Sequence, residues 1–161
     1  MHIRGVVIEN VKSFRGKHRF ELSSGVNYFV GDNNSGKSTL MEALLFLFDG
    51  PAKWAPEAFY STGTTSPTRV EAEIAGGVDE LVLQEKFKRL AAYVFEDKGE
   101  RILRLDRSSI DRQVEQGGKP KTITVKQVAF WHNERQQFEN VTGIDAVVKS
   151  IFDFEAVWAD T

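Results

Sequence analysis

Gly31-Asp32-Asn33-Asn34-Ser35-Gly36-Lys37-Ser38-Thr39 is the stretch from which the rest of the chain is read. It matches G-x-x-x-x-G-K-[ST] at every fixed position, the pattern of a loop that cradles phosphate. Before it, Val26-Asn27-Tyr28-Phe29-Val30 is rich in aromatic and β-branched residues and is expected to form a buried strand. After it, Leu40, Ala43, Leu44 and Leu47 recur at helical spacing, with Met41, Leu45 and Phe48 widening the apolar stripe. Strand, loop and helix in this order bring backbone N–H groups and the positive end of a helix dipole to one point. Gly36 lets the backbone approach a phosphate without a Cβ in the way. Lys37 supplies a compact cation for the β- and γ-phosphates, and the Ser38 hydroxyl is the candidate Mg²⁺ ligand. Asn33 and Asn34 suit left-handed positions in the loop. With Ser35, Gly36, Lys37, Ser38 and Thr39 they are the candidate nucleotide contacts. A Gly/Asn-rich turn that merely caps a helix is the plainer alternative, and the full pattern with both flanks argues against it.

Composition bounds the rest. The 161 residues amount to one domain or a piece of a larger one, and 41% hydrophobic residues suffice for a sizeable core. A net charge of −2 provides no global basic field for nucleic acid or an anionic membrane, although a local patch is still compatible with it. The absence of cysteine excludes disulfides and thiolate metal sites and suits a cytoplasmic location. Met1-His2-Ile3-Arg4 lacks the apolar run of a signal peptide, and Leu44–Phe48 is too short to span a membrane.

In chain order, Ile3–Ile8 reads as a first strand, residues 12–16 as a basic turn, and Lys17–Leu22 as a second strand antiparallel to the first. Asp49-Gly50-Pro51 stops the helix. Together these make a strand-loop-helix core over residues 1–50. Residues 51–68, rich in Pro, Ser and Thr, read as a long surface loop or lid, in which Trp54 and Tyr60 are candidates to stack on a base or to pack on the domain. Residues 69–105 read as an antiparallel β-meander of four runs, Arg69–Ile74, Glu80–Phe87, Ala91–Phe95 and Arg101–Leu105. Asp106–Glu115 is expected to be a short helix, residues 116–120 a loop, Lys121–Trp131 a strand, and Ile144–Phe152 an amphipathic helix. Lys98, Arg101, Arg104, Arg107 and Arg112 alternate with Glu100, Asp106 and Asp111, which suggests a solvated mixed-charge face. His132 has no partner at metal or triad spacing and reads as structural.

Turnover of ATP on such a loop ordinarily requires an apolar strand ending in acid to hold Mg²⁺ and support water. Ile102–Asp106 is interrupted by Arg104, and Ile151–Glu155 is short and helix-like, so neither fits well. The chain stops where further parallel strands would be expected, which suggests a truncated protein. A small-molecule kinase would need a parallel strand with an acidic end soon after the helix, and antiparallel signals follow instead.

Ile8-Glu9-Asn10-Val11-Lys12-Ser13-Phe14, then Gly25–Val30, then Gly31–Thr39 resemble the N-terminal half of an ABC-type ATPase head, as in the SMC, RecF and OLD-family proteins. The Asn33-Asn34 doublet is closest to the OLD-like branch of AAA ATPase/nucleases. The resemblance covers about a third of the chain, and the antiparallel strands that follow agree with it without being specific. It implies an α/β P-loop NTPase fold, an ABC/SMC-like first lobe with a mixed sheet. It further implies ATP and Mg²⁺ as cofactors, DNA as partner of the full-length protein, and an ATP-dependent homodimer. It assigns Lys12 and Ser13 to nucleotide contact, where a solvated basic turn is the alternative. It also puts a glutamine loop, whose Gln meets Mg²⁺, after the last strand, within residues 121–140; Gln136 fits best, with Gln137 beside it and an ordinary polar loop as the other reading. The functions implied are an ATPase lobe that gates DNA processing or, alternatively, a nucleotide-sensing module without turnover.

Overall fold

A computed structural model describes residues 1–12, 14–29, 37–50 and 67–152. Its centre is an antiparallel sheet ordered β2-β1-β3-β5-β8-β9, with β4 also paired to β5. The strands are β1 (His2–Val11), β2 (Phe14–Glu21), β3 (Arg69–Ala75), β4 (Phe95–Asp97), β5 (Glu100–Ser108), β8 (Ala129–His132) and β9 (Gln137–Glu139). A separate hairpin joins β6 (Arg112–Gln116) to β7 (Lys119–Ile123). One helix, α1 (Lys37–Asp49), covers the core face of the sheet.

Strand register sorts the side chains. Val6, Ala72, Leu105 and Phe130 lie level across four strands, and Ile8, Val70 and Arg107 lie level on the same face one pleat further on. Against this face α1 buries Leu40, Ala43, Leu44, Phe46, Leu47 and Phe48. The helix has no internal Gly or Pro, and it ends where Gly50 turns left-handed (φ 92°) and donates its N–H to Phe46 O at 3.2 Å. The alternate residues, Glu9, Arg69, Glu71, Glu73, Arg104 and Asp106, occupy the reverse face.

Several expectations need correction. Residues 26–29 are irregular rather than a buried strand, with Val26 73% and Tyr28 86% exposed. β1 is already paired on both sides, by β2 and β3, so a strand here has no ladder to join there. The Asn27 side chain also competes for the local backbone, accepting from Ser23 N at 2.8 Å and donating to Ser23 O at 3.1 Å. Glu80–Phe87 and Ala91–Phe95 are not meander strands. They form a short helix α2 (Val78–Leu81) and a 3-10 helix, Glu85–Tyr93. Phe87, Leu90 and Tyr93 recur every third residue, the period of a 3-10 helix, and all three are buried.

Asp106–Glu115 is not a helix either. β5 runs on to Ser108, and Arg112–Gln116 pairs with Lys119–Ile123 through Gly117-Gly118. Both glycines have positive φ (64° and 74°), the requirement of a two-residue hairpin turn whose twist suits the strands. Lys121–Trp131 breaks at residues 124–128, where Gln127 N donates to Thr124 O at 2.9 Å. Ile144–Phe152 is two 3-10 turns, Ile144–Ala146 and Val148–Ser150, that still bury Val148 and Ile151. Of the expected surface loop or lid at 51–68, residues 51–66, with Trp54 and Tyr60, lie outside the described residues, as does the acidic run at 153–155, while Thr68 is buried.

Candidate nucleotide site

The phosphate pattern reaches the described residues at Lys37, whose backbone opens α1; Asn33, Asn34, Ser35 and Gly36 lie outside them. Ser38 is exposed in the first turn and Thr39 is buried at 4%. That turn, Lys37-Ser38-Thr39-Leu40, contains no acid, so no carboxylate of its own offsets the positive end of the dipole. A hydroxyl and an acid-free helix start fit a triphosphate with Mg²⁺.

The β1–β2 turn lies beside this helix. A bulge between Glu9 and Val11 holds Asn10 at φ 53°, and Val11 then pairs with Phe14 across the turn, in which Lys12 is at φ 49°. Asn10 fixes the turn: its Oδ1 accepts from Gly16 N (2.9 Å), its Nδ2 donates to Pro67 O (3.2 Å), and its carbonyl accepts from Thr68 Oγ1 (2.8 Å). From there the Lys12 ammonium pairs with Glu42 on α1. Lys12 thus meets α1 at Glu42, one helical turn after Ser38. Ser13 lies outside the described residues.

Gln136 is not brought there. β1, β3, β5 and β8 alternate in direction, and the pairing of Leu105 with Phe130 puts His132 level with Leu103. Glu9 is level with Arg69 and Ser108, five residues further along β5, or roughly 17 Å at about 3.4 Å per residue. The β8–β9 turn therefore leaves the sheet at the end opposite Lys12. Gln136 (φ 50°) donates to Asn133 O at 2.6 Å, and Gln137 donates to Glu115 O and Glu139.

Two buried groups that sequence reasoning missed hold these parts in place. Arg107, 2% exposed, donates to Leu47 O at 3.0 Å and 3.3 Å and to Val125 O at 3.4 Å, so it caps the C-terminal end of α1. Burial pulls its guanidinium down to about 10. Its place within an alternating charge run gave no sign that it faces inward. Glu139, with a fully buried side chain, receives Arg135 at 2.6 Å and 2.8 Å, Gln137 at 2.6 Å and the Tyr93 hydroxyl at 2.9 Å. Arg135 leads in holding its carboxyl down to about 2, while burial and the same bond push Tyr93 up to about 12. His132 is buried beside them; its Nδ1 accepts from Arg135 N at 3.2 Å and its ring meets Tyr93 edge-on at 5.3 Å.

Of the expected solvated charge face, Lys98, Glu100, Arg101 and Asp111 are exposed, whereas Arg104, Asp106 and Arg112 belong to a partly buried ion network. Asp106, fully buried, takes Arg69 at 2.6 Å and Arg112 at 2.7 Å, while Glu71 takes Arg69 at 2.5 Å and Arg104 at 2.9 Å. Arg69, Arg104 and Arg112 also stand over the Phe138 ring at 5.1–5.6 Å. At one end Glu73 joins Arg4 and Arg19; burial pushes its carboxyl up, but the hydrogen bonds outweigh that and the net shift is downward. The burial of Glu71, Glu73 and Asp106 explains why these charges pair with one another rather than with water.

Comparison with known proteins agrees with this architecture. A model of the AAA domain family matches residues 6–154. Chromosome partition protein Smc of Fusobacterium nucleatum subsp. nucleatum is 28% identical over 85 residues, which are 49% of this chain and 7% of that protein. The chain therefore spans a small fraction of that relative's length. A solved structure from work on ATP-driven dimerization and DNA-stimulated activation of SMC ATPases superposes with a TM-score of 0.50 at 17% identity. The match takes in 94% of this chain and 77% of that one, and at that identity it carries the fold alone.

Proposed function

The chain belongs to the AAA domain family, as an SMC-like ABC ATPase lobe, and on that premise we propose that it binds ATP at the start of α1. The observation that carries the reading is the acid-free N-terminal turn of α1, entered from Gly31–Gly36 and flanked by the Lys12 turn. The residues assigned to nucleotide contact are Asn33, Asn34, Ser35, Gly36, Lys37, Ser38 and Thr39, with Lys12 and Ser13. Ser38 is the chain's own ligand for Mg²⁺. Gln136, at the far end of the sheet, is left out of this set.

Within a longer protein, the lobe gates DNA processing through ATP-dependent homodimerisation, in the manner of SMC, RecF or OLD-like proteins. The relatives' names point to chromosomes and DNA, and the Asn33-Asn34 doublet points to the OLD-like branch. A cytoplasmic setting agrees with the lack, among the described residues, of any helix long and apolar enough to cross a membrane. A nucleotide-sensing module without turnover is the second reading. It draws on Asp106, the carboxylate at the end of Ile102–Asp106, which is wholly buried and occupied by Arg69 and Arg112.

Titration of the 161-residue chain with ATP, with and without Mg²⁺, tests the binding reading. Ser38→Ala is expected to weaken binding chiefly when Mg²⁺ is present; equal losses in both conditions count against its role. Hydrolysis by the chain alone is expected to stay at background, because a trans-acting group by itself contributes about 10³–10⁵ in rate. Lys37-dependent turnover by the isolated chain would refute that expectation.

A further inference from the structure

We propose that Glu42 is a positioning residue for the nucleotide, its carboxylate holding Lys12 at the phosphate end of α1. The inference rests on the nucleotide-site reading above and deepens it. Glu42 is the single acid within α1 before its last residue, and its side chain is only 17% exposed. A carboxylate so placed needs a cation, and Lys12, 30 residues away in sequence, supplies one.

The direction of the pair matters. Glu42 follows Ser38 by four residues, so the two share a helix face, and side chains on a helix lean toward its N-terminus. The carboxylate that holds Lys12 therefore leans toward the Ser38 turn. An ammonium carries three donors and can hold a carboxylate and a phosphate oxygen together.

The turn that presents Lys12 is equally specified. Asn10 and Lys12 are non-glycine residues at positive φ, a conformation that persists where the surroundings over-determine it. Here the bonds from Gly16, Thr68 and the Asn10 amide do so. A turn that only had to connect two strands could use glycine and dispense with the pair to α1. The arrangement brings the Lys12 ammonium to Glu42 on α1.

A double-mutant cycle separates this role from a merely structural ion pair. MgATP affinity is measured for the 161-residue chain and for Glu42→Gln, Lys12→Met and the double variant, each checked for folding by thermal melting. Glu42→Gln is expected to weaken MgATP about three- to tenfold while Lys12 is present. In the Lys12→Met background the same change is expected to leave affinity unchanged or to tighten it, because a carboxylate without its lysine only repels a triphosphate. Glu42→Asp keeps the charge but shortens the reach, and is expected to weaken binding as Glu42→Gln does; it replaces Glu42→Gln in the cycle if that variant does not fold. Equal effects of the Glu42 change in both backgrounds, with binding still dependent on Lys37, overturn the positioning role alone. A chain that binds no MgATP, or binds it equally after Lys37→Ala, overturns the nucleotide site and this role with it.

Discussion

The β1–β2 turn and the β8–β9 turn each place one long polar residue in the left-handed region, Lys12 at φ 49° and Gln136 at φ 50°. Each follows a strand, and sequence resemblance assigned both to the same bound nucleotide. Lys12 is carried across to Glu42 on α1, whereas Gln136 bonds back to Asn133 within its own turn. The difference comes from strand parity. β1, β3, β5 and β8 alternate in direction, so β1 and β8 leave the sheet at opposite ends. A loop's place in the chain order does not tell which end of an antiparallel sheet it will occupy; the position of its strand in the sheet order does.

The sharpest way to break this contrast is at the nucleotide end. Lys37→Ala is expected to abolish ATP binding while the melting temperature stays close to that of the parent chain. Unchanged affinity in a folded variant would leave the α1 end without a role and dissolve the comparison.

Next comes the cap that pins α1 beneath that end. Arg107→Met removes the donors to Leu47 O and Val125 O and leaves buried carbonyls unsatisfied, an expected loss of about 2–4 kcal/mol in urea denaturation. A loss below about 0.5 kcal/mol would mean that apolar packing alone fixes the helix.

The far turn has its own anchor, which pH can release. The Glu139 carboxyl sits at about 2 in the folded chain, below its ordinary value of 4.5, so its contribution is fully present above the ordinary value and is lost as pH falls toward 2. With half-exposed Arg135 as the main partner, the expected contribution is about 1–3 kcal/mol. Stability measured across that window should fall in the parent chain and fall less in Glu139→Gln. Parallel curves for the two would show that other carboxylates carry the acid sensitivity.

The smallest effect is expected at Gln136 itself. Gln136→Ala should leave ATP affinity unchanged with or without Mg²⁺ and alter stability by no more than about 0.5 kcal/mol. A loss confined to Mg²⁺-containing solutions would show that the β8–β9 turn reaches the metal after all, and the contrast between the turns would narrow.

Legibility in the sequence followed the range of the interactions. The α1 stripe, its Gly50 stop, the first antiparallel pair, and the strands at Arg69–Ala75 and Glu100–Ser108 were readable, because helical period, alternation and turn chemistry act within a few residues. The pattern Gly31–Ser38 states its chemistry just as locally, though residues 31–36 lie outside the described ones. The run Glu80–Phe87 was read as a strand, whereas Phe87, Leu90 and Tyr93 at every third residue are all buried in a 3-10 helix.

What only the tertiary structure decided was which distant groups meet. Arg104, Arg107 and Arg112 look alike in sequence, yet alternation sends Arg104 to the reverse-face ion network and Arg107 to the end of α1, and the β6–β7 hairpin returns Arg112 to Asp106. The pairing of Lys12 with Glu42, and the separation of both from Gln136, depend likewise on sheet order. Local sequence sets each residue's backbone preference. The ends of a sheet, and the partners of a buried charge, are set by contacts between segments far apart in the chain, whose closure no local pattern encodes.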